Sequence, residues 1–111
     1  MNKCSVFNMI NIAGKKWSSV IIEEISEEKK IGFGKLIKTM NKISPKVLSQ
    51  RLKQLEKEGL IKKHIIEEKG VKKISYELTE KGEKLKKIMD DLKELCMTDK
   101  KPIRCTQCPM Y

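Results

Sequence analysis

The chain has 111 residues, 36% of them charged and 39% apolar, which describes one small soluble globular domain rather than a disordered segment. Lys and Arg number 25 against 15 Asp and Glu, a formal net charge of +10, so an anionic partner is implied: nucleic acid first, an anionic membrane surface second. No apolar run approaches the ~18 residues of a transmembrane helix and no signal-peptide pattern opens the sequence, so retention in the cytoplasm is expected.

Residues 4–13 carry Val6, Met9, Ile10 and Ala13 at helical spacing, a short amphipathic first helix that Gly14 interrupts. Lys15 to Glu27 resumes the pattern with Trp17, Val20, Ile21 and Ile25 inward. Trp17 reads as a core anchor. A solvated Glu-Glu-Lys-Lys run follows at 27–30, then a short extended or turn segment, Ile31-Gly32-Phe33. Phe33, Leu36, Ile37 and Met40 line a third helix ending near Asn41.

The fourth helix has both ends marked. Ser44 is a good N-cap, Pro45 suits the first helical position, and Gly59 can take the left-handed conformation that ends a helix. Leu48, Leu52 and Leu55 make one apolar stripe; Lys46, Gln50, Lys53 and Lys57 lie nearly opposite, with Ser49 and Gln54 beside them. Lys46 and Arg51 sit in the amino-terminal half and Glu56 and Glu58 at the carboxyl end, the reverse of what the macrodipole favours. A polyanion against that cationic half would make sense of the arrangement. Two helices joined by so brief a turn form a helix-turn-helix, the second being the recognition helix.

After Gly59 the period drops to two. Leu60-Ile61 and Ile65-Ile66 mark one strand, and Ile74, Tyr76 and Leu78 alternate in the next, with Glu67-Glu68-Lys69-Gly70 as the turn. A hairpin directly after a recognition helix is the layout of a winged helix-turn-helix, and Lys69, Lys72 and Lys73 near its tip suit phosphates or a minor groove. Thr79 caps a last helix with Glu80 and Glu83 in its first turn, where Gly82 is a slight weakness. Its stripe of Leu85, Ile88, Met89, Leu92, Leu95 and Cys96 exceeds what so small a domain can bury. A two-fold dimer through the first and last helices would cover it. The predicted class is therefore α+β: a winged helix-turn-helix with a three-helix core, a two-stranded β-wing and dimerisation helices at both ends. Residues 1–97 form that domain, and 98–111 form a basic tail containing Cys105-x-x-Cys108.

With these elements placed, the chain resembles the HxlR family of winged-helix transcriptional regulators. Gly14-Lys15-Lys16-Trp17 is similar to the family's Gly-Gly-Lys-Trp, and Phe33-Gly34-Lys35-Leu36 sits where the family has Arg-Phe-x-x-Leu. Ile43 to Leu60 resembles its recognition-helix pattern Ile-Ser-x-x-x-Leu-x-x-x-Leu-x-x-Leu-Glu-x-x-Gly-Leu, and Tyr76 to Gly82 its Tyr-x-Leu-Thr-x-x-Gly. The resemblance covers nearly everything from Cys4 to Leu95. It implies a homodimer joined through the terminal helices that binds double-stranded operator DNA and usually represses nearby genes. Cys4 stands where the family has a near-N-terminal cysteine, which in some members senses oxidants or electrophiles.

Four cysteines without a secretion signal do not suggest a disulfide framework. Three readings stay open: incidental thiols, a redox switch through Cys4, Cys105 and Cys108, or a zinc or iron–sulfur site. For the last, Cys105 and Cys108 supply only two of four ligands. Cys96, on the apolar stripe, reads as a buried small hydrophobe. The expected function is a sequence-specific DNA-binding regulator, a repressor, with cysteine redox control among its options. Lys46, Ser49, Gln50 and Lys53 then face the major groove from a helix opened by Ser44. Arg51 and Lys57 lie toward the backbone, and Lys69, Lys72 and Lys73 serve the wing. A sequence-neutral chromatin protein is the alternative that charge alone permits. An enzyme has little support, because the sole histidine, His64, falls in a wing strand and no paired carboxylates or phosphate-cradling Gly loop occur. A thiol or metal redox protein built on Cys105 and Cys108 is the one catalytic idea left.

Overall fold

The computed structural model describes residues 3–40 and 42–97. Five helices and three strands follow one another as α1 (Lys3–Ala13), α2 (Ser18–Glu28), β1 (Lys30–Gly32), α3 (Phe33–Thr39), α4 (Pro45–Lys57), β2 (Ile61–Glu68), β3 (Val71–Leu78) and α5 (Glu80–Met97). The strands form one antiparallel sheet in the order β1-β3-β2. This is the expected α+β winged helix, with one addition. The segment read as extended or turn is a third strand, and it places Ile31 opposite Tyr76 on β3. Both side chains are buried, at 2% and 8% exposure. A three-residue strand has no periodicity of its own, so pairing with a distant partner is what makes it one.

The core gathers the inward stripes of the helices on the root of the sheet. Ile21, Ile22 and Ile25 of α2 meet Leu36 of α3, Leu52 and Leu55 of α4, and Ile61 and Leu78 of the sheet. Along α2 the main neighbours are α5, β3 and β1, with α1 touching it more lightly. Lys93 of α5 pairs with Glu23 of α2, which fixes the two helices lengthwise.

Three local expectations change. The second helix, predicted from Lys15, starts at Ser18, because Trp17 takes a left-handed backbone with φ 80°. That conformation costs a non-glycine residue about 1–2 kcal/mol. Emptying a buried Trp site costs about 3–5 kcal/mol, so burial decides. The indole is 7% exposed, with the Lys16 ammonium 5.3 Å from its ring centroid. The wing turn is shorter than predicted: β2 runs through Glu68 and β3 starts at Val71. Only Lys69 (φ 51°) and Gly70 (φ 78°) remain between them, a two-residue turn whose positive φ values match the twist of a tight hairpin. Cys96, expected to be buried, is exposed.

The apolar stripes at the two chain ends divide. Ile12, Leu85 and Met89 join the core, while Val6 (52%), Phe7 (66%) and Ile10 (62%) on α1 and Ile88 (57%), Leu92 (55%) and Leu95 (66%) on α5 face outward. Among the described residues no helix is long and apolar enough to cross a membrane.

Candidate nucleic-acid interface

Helix α4 is held at both ends by the devices its sequence announces. Ser44 has an extended backbone, its Oγ accepts from the Val47 amide (3.2 Å), and Pro45 takes the first helical position. At the other end Gly59 has φ 76°. The Gly59 amide donates to the Glu56 carbonyl (3.0 Å) and the Leu60 amide to the Leu55 carbonyl (3.0 Å), a Schellman motif. Leu55 and Leu60, the pair that such a motif brings together, are both fully buried.

The start of α5 then locks onto that end. The Thr79 amide donates to the Leu60 carbonyl (3.1 Å), while the Thr79 hydroxyl donates to the Gly59 carbonyl and accepts from the Gly82 amide (3.1 Å). Lys81 Nζ reaches the Glu58 carbonyl at 2.8 Å. Thr79 is thus the N-cap expected of it and a bridge as well. Gly82 is more than a weak point in a first turn, because a Cβ there would lie 2.0 Å from the Leu60 carbonyl oxygen. Close approach of α5 to the exit of α4 requires glycine at that position.

With Leu48, Leu52 and Leu55 inward at 1% exposure or less, the opposite face of α4 carries Lys46, Gln50, Lys53 and Lys57, all exposed. Ser49 is half-buried and Ser44 exposed. Among the described residues no ion pair involves Lys46, Lys53 or Lys57, so their charge is left uncompensated by the fold. Arg51 is placed differently. It is half-buried, and its Nε donates to the Lys16 carbonyl (3.2 Å) in the α1–α2 turn.

At the wing, Lys69 occupies the turn, while Lys72 and Lys73 stand opposite Glu67 and Ile66. All three lysines are exposed. The sheet surface behind them holds a pair unforeseen in the sequence: His64 Nε2 lies 2.6 Å from Glu77 Oε2. That hydrogen bond, helped by the nearby Lys62 and Lys30 charges, holds the Glu77 carboxyl below its usual range. On α2 the shift is reversed. Partial burial, then repulsion from Glu27, Glu23 and Glu28, raises the Glu24 carboxyl.

An open groove of about 500 Å³ runs between α1, the α1–α2 turn and α4. Its lining brings Asn8 and Lys15 beside Gln50, Arg51, Lys53 and Lys57. Asn8 Nδ2 also donates to Glu58 Oε2 (3.2 Å), joining α1 to α4. No sequence pattern couples residues 50 positions apart, and the groove was not legible there. Among the cysteine candidates, Cys4 lies in α1, and Cys105 and Cys108 fall outside the described residues. Among the described residues no three His, Cys, Asp or Glu side chains come together as a metal site.

A capped helix with an uncompensated cationic face, mounted beside a two-stranded wing, defines a winged helix-turn-helix DNA-binding protein. The HxlR-like helix-turn-helix family model matches residues 12–103. The chain belongs to that family. Two Bacillus subtilis proteins are similar in sequence: the HTH-type transcriptional regulator YodB, 34% identical over 82 residues (74% of this chain, 71% of YodB), and YvaP, 34% identical over 83 residues (75% of each chain). The reduced form of YodB superposes with a TM-score of 0.79 at 26% identity, covering 94% of this chain and all of that one. Diamide-treated YodB superposes at 0.75, with 26% identity over 92% of this chain and 99% of that one. The protein is a DNA-binding transcriptional regulator. Its family and neighbours are regulators rather than enzymes.

Proposed function

We propose that the protein is a repressor that binds a palindromic operator as a homodimer, with one α4 in each of two successive major grooves. The observation that carries this reading is the outward face of α4, where Lys46, Lys53 and Lys57 have no carboxylate partner among the described residues. Lys46, Ser49, Gln50 and Lys53 would meet base edges, with Ser44 at the helix start and Arg51 and Lys57 toward phosphates. Lys69, Lys72 and Lys73 would place the wing on the flanking backbone. Chromosomal DNA as partner would put the protein in the cytoplasm.

The outward side chains of α1 and α5 support the dimer. Phe7 and Leu95 are each 66% exposed, and with Ile10, Ile88 and Leu92 they make a surface that a second copy would cover. Two-fold pairing sets the recognition helices about one turn, ~34 Å, apart. Thiol control fits the same geometry. Cys4 belongs to α1, and Cys96 stands exposed beside Leu95 on α5. Cys105 and Cys108 follow α5 in sequence. YodB, a relative of similar fold, has been solved after diamide treatment, and diamide takes two electrons and two protons from a thiol pair to leave a disulfide. We assign such a thiol-pair oxidation to this chain, with Cys4 as its first candidate and Cys105 and Cys108 as resolving thiols.

Selection of bound genomic fragments, with and without diamide, followed by salt titration on one selected site, tests the reading. One palindromic site should emerge, bound far more tightly than random duplex and with steep negative salt dependence. Equal affinity for all duplexes would leave a sequence-neutral chromatin protein instead. Unchanged thiol count and operator affinity after diamide, with Cys4→Ser behaving like the parent, would remove the redox part alone.

A further inference from the structure

The groove between α1 and α4 gathers four cations, Lys15, Arg51, Lys53 and Lys57, against one carboxylate, Glu58. That carboxylate already accepts from Asn8, and none of the four cations is in an ion pair among the described residues. Arg51 spends one of its five donors on the Lys16 carbonyl. Like charges brought together in this way repel, and no ion pair among the described residues offsets that cost. An anion that completes the groove would.

The position of the groove says which anion. Gln50, Lys53 and Lys57 belong both to the outward face of α4 and to the groove lining. A helix about 10–12 Å across nearly fills a major groove about 12 Å wide, so the walls on its two sides are the sugar–phosphate strands. The α1–α2 turn stands against one flank of α4, anchored there by Arg51. The groove is open rather than enclosed, which suits a polymer passing along it better than a small ligand. Two neighbouring lysines are sorted by the turn. Lys15 lines the groove, while the Lys16 ammonium sits over the Trp17 ring at 5.3 Å.

We propose that Lys15, with Arg51 and Gln54, grips the sugar–phosphate backbone of the bound duplex beside the recognition helix. Lys15 brings to that grip a contact from outside both the helix-turn-helix and the wing. It rests on the reading of α4 as the DNA-reading element. The clamp needs the left-handed Trp17 and the Arg51 hydrogen bond, which together set the turn that carries Lys15.

The test uses the full chain, the selected operator and a random duplex, each titrated at several salt concentrations. Lys15→Gln should weaken both duplexes alike, about three- to tenfold, and flatten the salt slope by about one per bound protomer. Lys16→Gln leaves the carbonyl that holds Arg51 in place and should stay within about twofold of the parent. If Lys15→Gln and Lys16→Gln behave identically, the proposal fails. If Gln50→Ala alters operator binding while Lys15→Gln is silent, α4 keeps its role and the clamp is wrong; if neither variant changes operator binding, both readings fall together. Inorganic pyrophosphate at constant ionic strength is the last arm. Saturable binding that Lys15→Gln abolishes, alongside parental DNA affinity in that variant, would give the groove to a small anion and overturn the proposal.

Discussion

The recognition helix and the wing are adjacent in the chain and are held in opposite ways. Helix α4 buries Leu48, Leu52 and Leu55 and is tied at its sides and exit by Arg51, Glu58, Gly59 and Leu60. The hairpin is packed only at its root, through Ile61, Tyr76 and Leu78. Farther out, Ile65 (59%), Ile66 (51%) and Val71 (58%) are exposed. Alternation puts Ile65 on the face shared with Tyr76 and Leu78, and Ile66 with Val71 on the other, so neither face of the outer hairpin is covered. Under the proposed function, α4 presents side chains in fixed geometry and is anchored on several sides, while the wing lies along a backbone and is anchored at one end.

The contrast can be broken by glycine substitutions, where the largest effect is expected. Gly82→Ala drives a methyl group into the Leu60 carbonyl and should lower stability by about 3 kcal/mol, at the upper end of overpacking costs. Gly70→Ala in the wing meets no atom and has only its φ of 78° against it, a cost of about 1 kcal/mol. Urea unfolding of both proteins checks the pair. Equal losses would mean that the exit of α4 is no more constrained than the wing tip.

Binding should separate the two regions next. Gln50→Ala is expected to remove about 1–3 kcal/mol of operator affinity and to relax preference at particular base pairs. Lys72→Gln should weaken all duplexes uniformly and reduce the salt slope by about one per protomer. Competition binding against single-base operator variants distinguishes these outcomes. A smaller effect is expected at the cap: Ser44→Ala should cost about 1 kcal/mol of stability, read by thermal melting, with operator affinity falling as the first turn of α4 frays.

The smallest difference is in the response to acid, and its sign differs between the wing strand β3 and the supporting helix α2. Glu77 has a depressed folded-state pKa, so its contribution is present above the ordinary value of 4.5 and is lost as pH falls through the lower folded value. Glu24 has a raised one, so its unfavourable charge is present at neutral pH and relieved as pH falls through the raised value toward 4.5. Glu77→Gln should therefore flatten the acid loss of stability, and Glu24→Gln should stabilise the protein slightly at pH 7. Denaturant midpoints measured from pH 3 to pH 7 test both signs.

Much of the framework of the candidate interface was legible because its signals are local. Ser44, Pro45 and Gly59 mark α4 through backbone preferences that act within one turn, and Thr79 does the same for α5. The hairpin was legible as a change of period from 3.6 to two. Missed features depend on residues distant in sequence. Trp17 gives up helical geometry because burial outweighs the local cost. Arg51, assigned to phosphate by its charge, is first a bond to the Lys16 carbonyl. Cys96 follows the apolar stripe by spacing, yet it is exposed, as are Leu92 and Leu95 before it.

By itself the sequence determined the order of elements, the caps, the cationic face of α4 and the family, because propensity, periodicity and motif spacing act over a few residues or along one helix. Only the tertiary structure decided the third strand, the glycine-dependent seat of α5 on the exit of α4, and the groove that sets Asn8 and Lys15 beside the recognition helix. Each of these is a contact between segments tens of positions apart, and burial and close approach settle such contacts once the chain has folded.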